Sequence, residues 1–123
     1  MKFFYILLTS LILSFSMGCG AHASHDLGIP VSKSESFFFH MKEAALNAGY
    51  RTSMSEKGDL HIYVPEGQLV YKTNMSGDGL AVSLHTNSHD DDSVEAKWLL
   101  SLEDIHEELL AAAKVMAKKN QAW

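Results

Sequence analysis

An uncharged apolar segment opens the chain. After Met1 and Lys2, residues 3–17 read FFYILLTSLILSFSM. A membrane-spanning helix needs about 20 apolar residues, whereas the apolar part of an export signal is commonly about 7–15 residues long behind a basic start. The next charged residue is Asp26, so no positively charged stop-transfer cluster follows. The pattern predicts an export signal over residues 1–18, with a retained membrane anchor as the alternative.

The segment after the signal has neither a helical nor a strand period. It reads CGAHASHDLGIPVSK and is rich in small and polar residues. Such a composition is typical of a flexible connection, so we expect residues 19–33 to form a tether. Residues 34–123 are then long enough for one small domain.

Apolar residues next recur at intervals of three and four, as on one face of a helix. They are Phe37, Met41, Ala44, Ala45 and Ala48. Ser32 and Glu35 have the spacing of a capping box, and Gly49 stands where helices often end. The pattern predicts a helix over 34–48. The three phenylalanines at 37–39 cannot all face one side, so either one is exposed or the helix is buried on both flanks.

The period then changes to two. Apolar and polar residues alternate over 50–54, 60–64, 69–73 and 80–84, and the segments between them contain the turn sequences EKGD, PEGQ and SGDG. Short alternating segments joined by turn residues predict an antiparallel meander. One face of this sheet is apolar and the other carries Lys, His, Ser and Tyr, so we expect only one face to pack on the core.

The last third of the chain allows two interpretations. Residues 94–100 alternate, which favours a fifth strand pairing with the strand at 80–84, followed by a helix from Leu102. The rival is one long helix from Ser93, because Asp92 and Glu95 also have capping-box spacing. We favour the strand. In either case the acidic residues early in the C-terminal helix and the lysines late in it suit the helix dipole.

Together these elements predict an α+β fold. It is a two-layer sandwich in which an antiparallel meander of four to five strands has an N-terminal and a C-terminal helix on one face. The other face of the sheet would meet solvent or a partner. Such folds host many functions, so the function has to be argued from particular residues.

Charge narrows the choice of partners. The chain has 10 Lys and Arg against 15 Asp and Glu, and loss of Lys2 with the signal leaves 9 − 15 = −6. Nucleic acids and anionic lipid surfaces are bound by clustered Lys and Arg. We therefore expect no nucleic acid as a partner.

The end of the export signal carries a recognisable motif. Residues 16–19 read SMGC, which resembles the lipobox of bacterial lipoproteins, although Ser16 stands where leucine is usual. The resemblance implies cleavage before Cys19, acylation of that cysteine and anchorage in the cell-envelope membrane. With Gly20 rather than aspartate next, it implies the outer membrane. Cys19 is the chain's single cysteine, and lipidation explains an unpaired thiol in an exported protein.

A second cleavage position lies close by. Small residues at Ala21 and Ala23 suit an ordinary signal peptidase, which would remove residues 1–23. The product would be a soluble periplasmic or secreted protein without cysteine. We favour the lipoprotein interpretation.

One loop gathers residues that can bind metal ions. The stretch HTNSHDDD offers His85, His89, Asp90, Asp91 and Asp92. Imidazoles suit Zn, Cu or Ni, so a weak site for one of these ions is a speculative possibility. The spacing matches no established metal motif. We favour a polar hairpin tip whose acids are solvated and cap the following element.

The remaining candidate residues indicate structural roles. We expect His40 and His106 to be hydrogen-bonded structural histidines, and His61 to lie on the solvated sheet face near His85 or Lys72. No nucleophile, base and orienting acid form a recognisable constellation, so we expect no enzymatic activity.

The sequence therefore predicts a non-enzymatic binding or accessory module. It would be anchored to the cell envelope through lipid on Cys19, with another envelope protein as its partner and no cofactor. The alternative is a soluble periplasmic metal-binding protein that uses the HTNSHDDD loop.

Overall fold

The computed structural model describes residues 20–119. The predicted export signal and Cys19 lie outside these residues. In chain order the elements are β1 (His22–Pro30), a 3-10 turn (Val31–Lys33), α1 (Ser34–Asn47), β2 (Arg51–Met54), β3 (Leu60–Val64), β4 (Gly67–Thr73), β5 (Gly79–Thr86) and α2 (Asp92–Lys119).

The five strands form one antiparallel sheet in the order β1-β5-β4-β3-β2. Strands β2 to β5 make the predicted meander, and β1 adds to its β5 edge. Helices α1 and α2 contact each other and the sheet. The predicted α+β two-layer sandwich is confirmed.

Alternation along the strands builds the core. Residues that point to the helices are almost fully buried, among them Leu60, Ile62, Leu69, Leu80 and Leu84. Helix α1 adds Phe37, which is fully buried, whereas Phe39 keeps 57% of its surface exposed. One of the three consecutive phenylalanines is therefore exposed, which is the first of the two alternatives that the sequence left open.

The predicted tether over 19–33 is wrong for its central part, because residues 22–30 form strand β1. The inward side chains at the start of this strand are small or polar. Ala23 is 2% exposed, and His25 contacts Glu103 on α2. Ile29 is the buried large apolar residue of the strand, and it follows a register shift between Asp26 and Pro30. The strand therefore lacks a regular alternation of large apolar side chains.

The predicted strand at 94–100 is also wrong, because these residues belong to α2. The side chain of Asp91 accepts hydrogen bonds from the backbone N–H of Ser93 (2.9 Å) and from its hydroxyl (2.7 Å). The carboxylate of Glu95 accepts one from the backbone N–H of His89 (2.7 Å). These bonds stabilise a helix start at Asp92, and β1 takes the place beside β5 expected for 94–100.

Within residues 20–119, no helix combines the length and the apolar character that are needed to cross a membrane.

Candidate functional site

The two faces of the sheet differ in chemistry. Both helices pack on the apolar face. The opposite face, here called the open face, is mostly polar, because its residues are the alternate members of each strand. Within residues 20–119, no helix packs on it. It is therefore the face of the sheet that the described part of the chain leaves uncovered.

One line of side chains crosses the whole open face. The strand register places five residues opposite one another, one on each strand, and we call this line the open-face row: His22, His85, Gln68, Tyr63 and Arg51. Four of the five side chains end in a planar ring or guanidinium, and Gln68 adds a planar amide. The row is a set of flat groups that can stack and form hydrogen bonds.

Contacts within the row order its members. The rings of His22 and His85 are stacked with their centroids 5.8 Å apart and their planes at 22°. At the other end the guanidinium of Arg51 lies 5.6 Å from the centroid of the Tyr63 ring, a cation–π distance. The hydroxyls of Tyr63 and Ser53 are hydrogen-bonded at 3.0 Å.

His61 joins this arrangement from the next row. Its Nδ1 lies 3.3 Å from Oε1 of Gln68, an oxygen that can only accept, so Nδ1 is the donor. Its ring is stacked with that of Tyr63 at 6.3 Å and 18°. The predicted position of His61 on the solvated face is confirmed.

A line of shorter side chains runs beside the row. Ser24, Ser83, Val70, His61 and Ser53 lie opposite one another on the five strands. The hydroxyls of Ser24 and Ser83 are hydrogen-bonded at 3.1 Å. At the β1 and β4 side, a shallow groove of 570 Å³ is lined in part by Ser24 and Lys72.

Positive groups dominate the electrostatics of the open face. The pKa of His85 lies below its ordinary value, mainly because partial burial disfavours the charged imidazolium. Positive charge on His22, Lys72 and His61 lowers it further. Asp26 is the only acid in the five strands, although the chain has 15 Asp and Glu.

The two histidines of the HTNSHDDD stretch lie in different environments. His85 belongs to β5 and stacks on His22. His89 instead packs edge-on against Trp98 at 5.4 Å, and its Nδ1 accepts a hydrogen bond from the backbone N–H of Asp91 at 2.9 Å. Among residues 20–119, no three or more His, Cys, Asp or Glu are grouped so that they could hold a metal ion.

The aspartates of this loop are exposed, and one has a clear structural contact. Asp91 caps α2, and its hydrogen bonds from Ser93 hold the pKa of its carboxyl below the usual value. Asp90 and Asp92 are exposed to solvent. Metal binding by His85, His89 and the three aspartates remains a prediction.

Two other histidines have the structural roles that we expected. His40 Nδ1 lies 2.7 Å from the carbonyl oxygen of Ser36 and donates to it. His106 Nδ1 lies 2.7 Å from the hydroxyl of Tyr71 inside the core. Burial lowers the pKa of His106 to about 4 and raises that of Tyr71 well above its ordinary value. This neutral pair links the sheet to α2.

His25 forms a contact that the sequence did not predict. Its Nε2 lies 3.0 Å from Oε2 of Glu103, which joins β1 to α2. The hydrogen bond to this carboxylate raises the pKa of His25. The two residues are 78 positions apart, so only the tertiary fold brings them together.

Compared with known proteins, the sequence matches no family model, and no curated protein is significantly similar to it. The candidate site is accordingly argued from its geometry. It is a shallow, polar and locally positive surface on an acidic protein, which suits binding to an extended surface or segment more than enclosing a small molecule.

Proposed function

We propose that this protein is an exported cell-envelope lipoprotein, acylated at Cys19, whose domain is a non-enzymatic binding module. It would present the open face of its sheet to another envelope protein. Gly20, rather than aspartate, after the cysteine favours the outer membrane, as the lipobox resemblance implies.

The observation that carries this proposal is the start of the folded domain. The backbone N–H of Ala21 donates to Oγ1 of Thr86 at 2.8 Å, and the N–H of Thr86 donates to the carbonyl of Ala21 at 2.8 Å. Ala21 is 1% exposed and Ala23 is 2% exposed. Cleavage after Ala23 would remove this part of the sheet, whereas cleavage before Cys19 would keep all of it.

Gly20 adds support of a different kind. Its φ of +80° is in the region that favours glycine, and a Cβ built there would lie 2.5 Å from the carbonyl oxygen of Thr86. The fold therefore requires glycine directly after Cys19. Such a requirement supports a mature chain that still contains Gly20, as cleavage before Cys19 would leave it.

The shallow shape of the open face supports binding rather than catalysis. The groove near Ser24 and Lys72 is shallow, and a second depression of 520 Å³ beside Arg51 and Tyr63 is also open to solvent. Catalysis commonly uses a site that excludes water around the reacting groups. Flat surfaces of this kind are instead typical of protein–protein contacts.

The test is the intact mass of the mature protein purified from an exporting bacterial host. We expect a mass that corresponds to residues 19–123 plus acyl chains, and we expect Cys19→Ala to abolish membrane association. Ser16→Ala, which keeps the cysteine, is the matched control and should leave the protein in the membrane fraction.

A mature protein that starts at Ser24 would contradict the proposal. The alternative, a soluble periplasmic metal-binding protein that uses His85, His89 and the loop aspartates, would then be tested by zinc titration. Metal-dependent thermal stabilisation that is lost in the His85→Ala, His89→Ala double variant would support it.

A further inference from the structure

We propose that the open-face row binds a carboxylate-rich polypeptide segment of the partner, lying extended across the strands. The location of that partner in the envelope rests on the proposed function. The chemistry of the contact rests on the charges and the geometry of the row.

Charge complementarity selects an acidic occupant. Arg51 and Lys72 are the cationic residues of the open face, three histidines lie between or beside them, and the single strand acid, Asp26, is at the β1 edge. The protein as a whole is acidic. Its acids lie almost entirely outside the strands, so an acidic segment would meet attraction here and repulsion on most of the remaining surface.

The dimensions of the row fit a short extended chain. Five strands at about 4.8 Å spacing give a row of about 19 Å. An extended polypeptide covers about 3.3 Å per residue, so about six residues would span it. Alternate side chains of that segment would point towards the row.

The row also holds donors in suitable positions. The central carbon of the Arg51 guanidinium lies over the Tyr63 ring at 5.6 Å, and the N–H groups of this guanidinium are donors suited to a carboxylate. The Gln68 amide oxygen accepts from His61, so the NH₂ group of Gln68 is a further donor at the centre. Stacking between His22 and His85 holds two imidazoles at the other end.

An anionic lipid surface fits this end of the molecule less well. The row lies at the sheet end where the backbone N–H of Asn87 donates to the carbonyl oxygen of Glu66 at 2.9 Å, and the acidic loop follows at Asp90 to Asp92. A bilayer that contacted the row broadly would bring these carboxylates close to anionic headgroups. A narrow polypeptide segment would avoid them.

Binding should strengthen as the pH falls. Protonation of His85 adds positive charge to a face that already holds Arg51 and Lys72, whereas the acids of the segment stay ionised down to about pH 4.5. Asp26 is the one strand carboxylate on this face, and its negative charge weakens the attraction for an acidic segment. His85 would gain its proton at a lower pH than an ordinary histidine, because burial and its positive neighbours disfavour the charge.

The test measures fluorescence anisotropy of a labelled peptide of about ten glutamates, added to the mature protein in detergent. We expect binding that tightens between about pH 7.5 and about pH 5.5 and weakens with added salt. A peptide of the same length made of glutamine should not bind. The Arg51→Gln, His85→Gln double variant should weaken binding about tenfold or more, the effect of losing a charge-assisted contact.

The matched control removes two positive charges from α2, in the Lys97→Gln, Lys114→Gln double variant. The proposal would be overturned if peptide binding weakened equally in both double variants, or if it did not weaken in the Arg51→Gln, His85→Gln variant. So would row-dependent binding of glycerol phosphate, a soluble headgroup mimic, without binding of the glutamate peptide. Circular dichroism of each variant establishes that it is folded. The intact mass tests acylation separately, so failure of the lipoprotein assignment and failure of this proposal are distinguishable.

Discussion

Removing residues before Ser24 should destabilise the domain, and the size of the loss follows from the β1 contacts. A chain that begins at Ser24 loses the hydrogen bonds between Ala21 and Thr86 and the buried methyl groups of Ala21 and Ala23. Two hydrogen bonds are worth about 1 kcal/mol each, and two buried methyls about 0.8 kcal/mol each. The freed residues regain backbone entropy, which offsets part of this sum. We expect a net loss of about 2 kcal/mol.

Urea unfolding measures this loss directly. The comparison is between a chain that begins at Gly20 and one that begins at Ser24, with stability taken from the midpoint and slope. For a domain of this size, a loss of about 2 kcal/mol lowers Tm by about 8–16 °C. A difference below about 0.5 kcal/mol, within the range of ordinary surface changes, would refute the reasoning.

A single substitution provides the internal control. Thr86→Val removes the Oγ1 that accepts from Ala21 while it keeps the shape of the side chain, and should cost about 1 kcal/mol in the longer chain. In the chain that begins at Ser24 the same substitution should lose most of its effect, because the donor is already absent. Equal effects in both chains would show that the cost of Thr86→Val does not come from β1.

Two further predictions concern the core and the second helix. Because burial lowers the folded pKa of His106 to about 4, below the unfolded value of about 6.5, the unfolded state binds more protons between these pH values, and stability should fall by on the order of 3 kcal/mol as the pH drops through that window. His106→Gln should flatten this pH dependence in urea unfolding, and an unchanged slope would contradict the assignment to His106. Asp91→Ala should cost about 1 kcal/mol, because the N–H of Ser93 loses its cap, whereas Asp90→Ala, the exposed neighbour, should change stability by less than about 0.5 kcal/mol.

The elements that the sequence predicted share one property. Strands β3 to β5 and helix α1 are marked by large apolar residues at a clear period, such as Leu60 with Ile62 and Leu80 with Val82. These residues fill the core and also produce the sequence signal. Strand β1 lacks that signal, because Ala23 and His25 are its first inward residues, and its large buried residue, Ile29, follows a register shift after Asp26.

The candidate site was only partly predictable for a related reason. Alternation placed His61 and Tyr63 on the polar face, but the open-face row depends on the register of all five strands. Its first member, His22, lies in the segment expected to be a tether. The wrong strand at 94–100 also follows from missing β1. Once β1 is known to pair with β5, that edge of the sheet is occupied and no strand at 94–100 can pair there. Pairing between distant segments, such as His25 with Glu103, leaves no periodic mark in the sequence.

The close joining of Gly20 and Ala21 to β5 limits how far an acylated form could work from its membrane. If Cys19 carries lipid, as we propose, the folded domain begins at the next residue and has almost no flexible connection to the membrane. A compact domain of about 100 residues has a radius of gyration of about 13 Å, so its zone of action would be a thin layer above the lipid headgroups. Encounters would occur by lateral diffusion in the plane of the bilayer. Its partners would then be proteins embedded in, or lying close against, the same leaflet, and not structures across the periplasm.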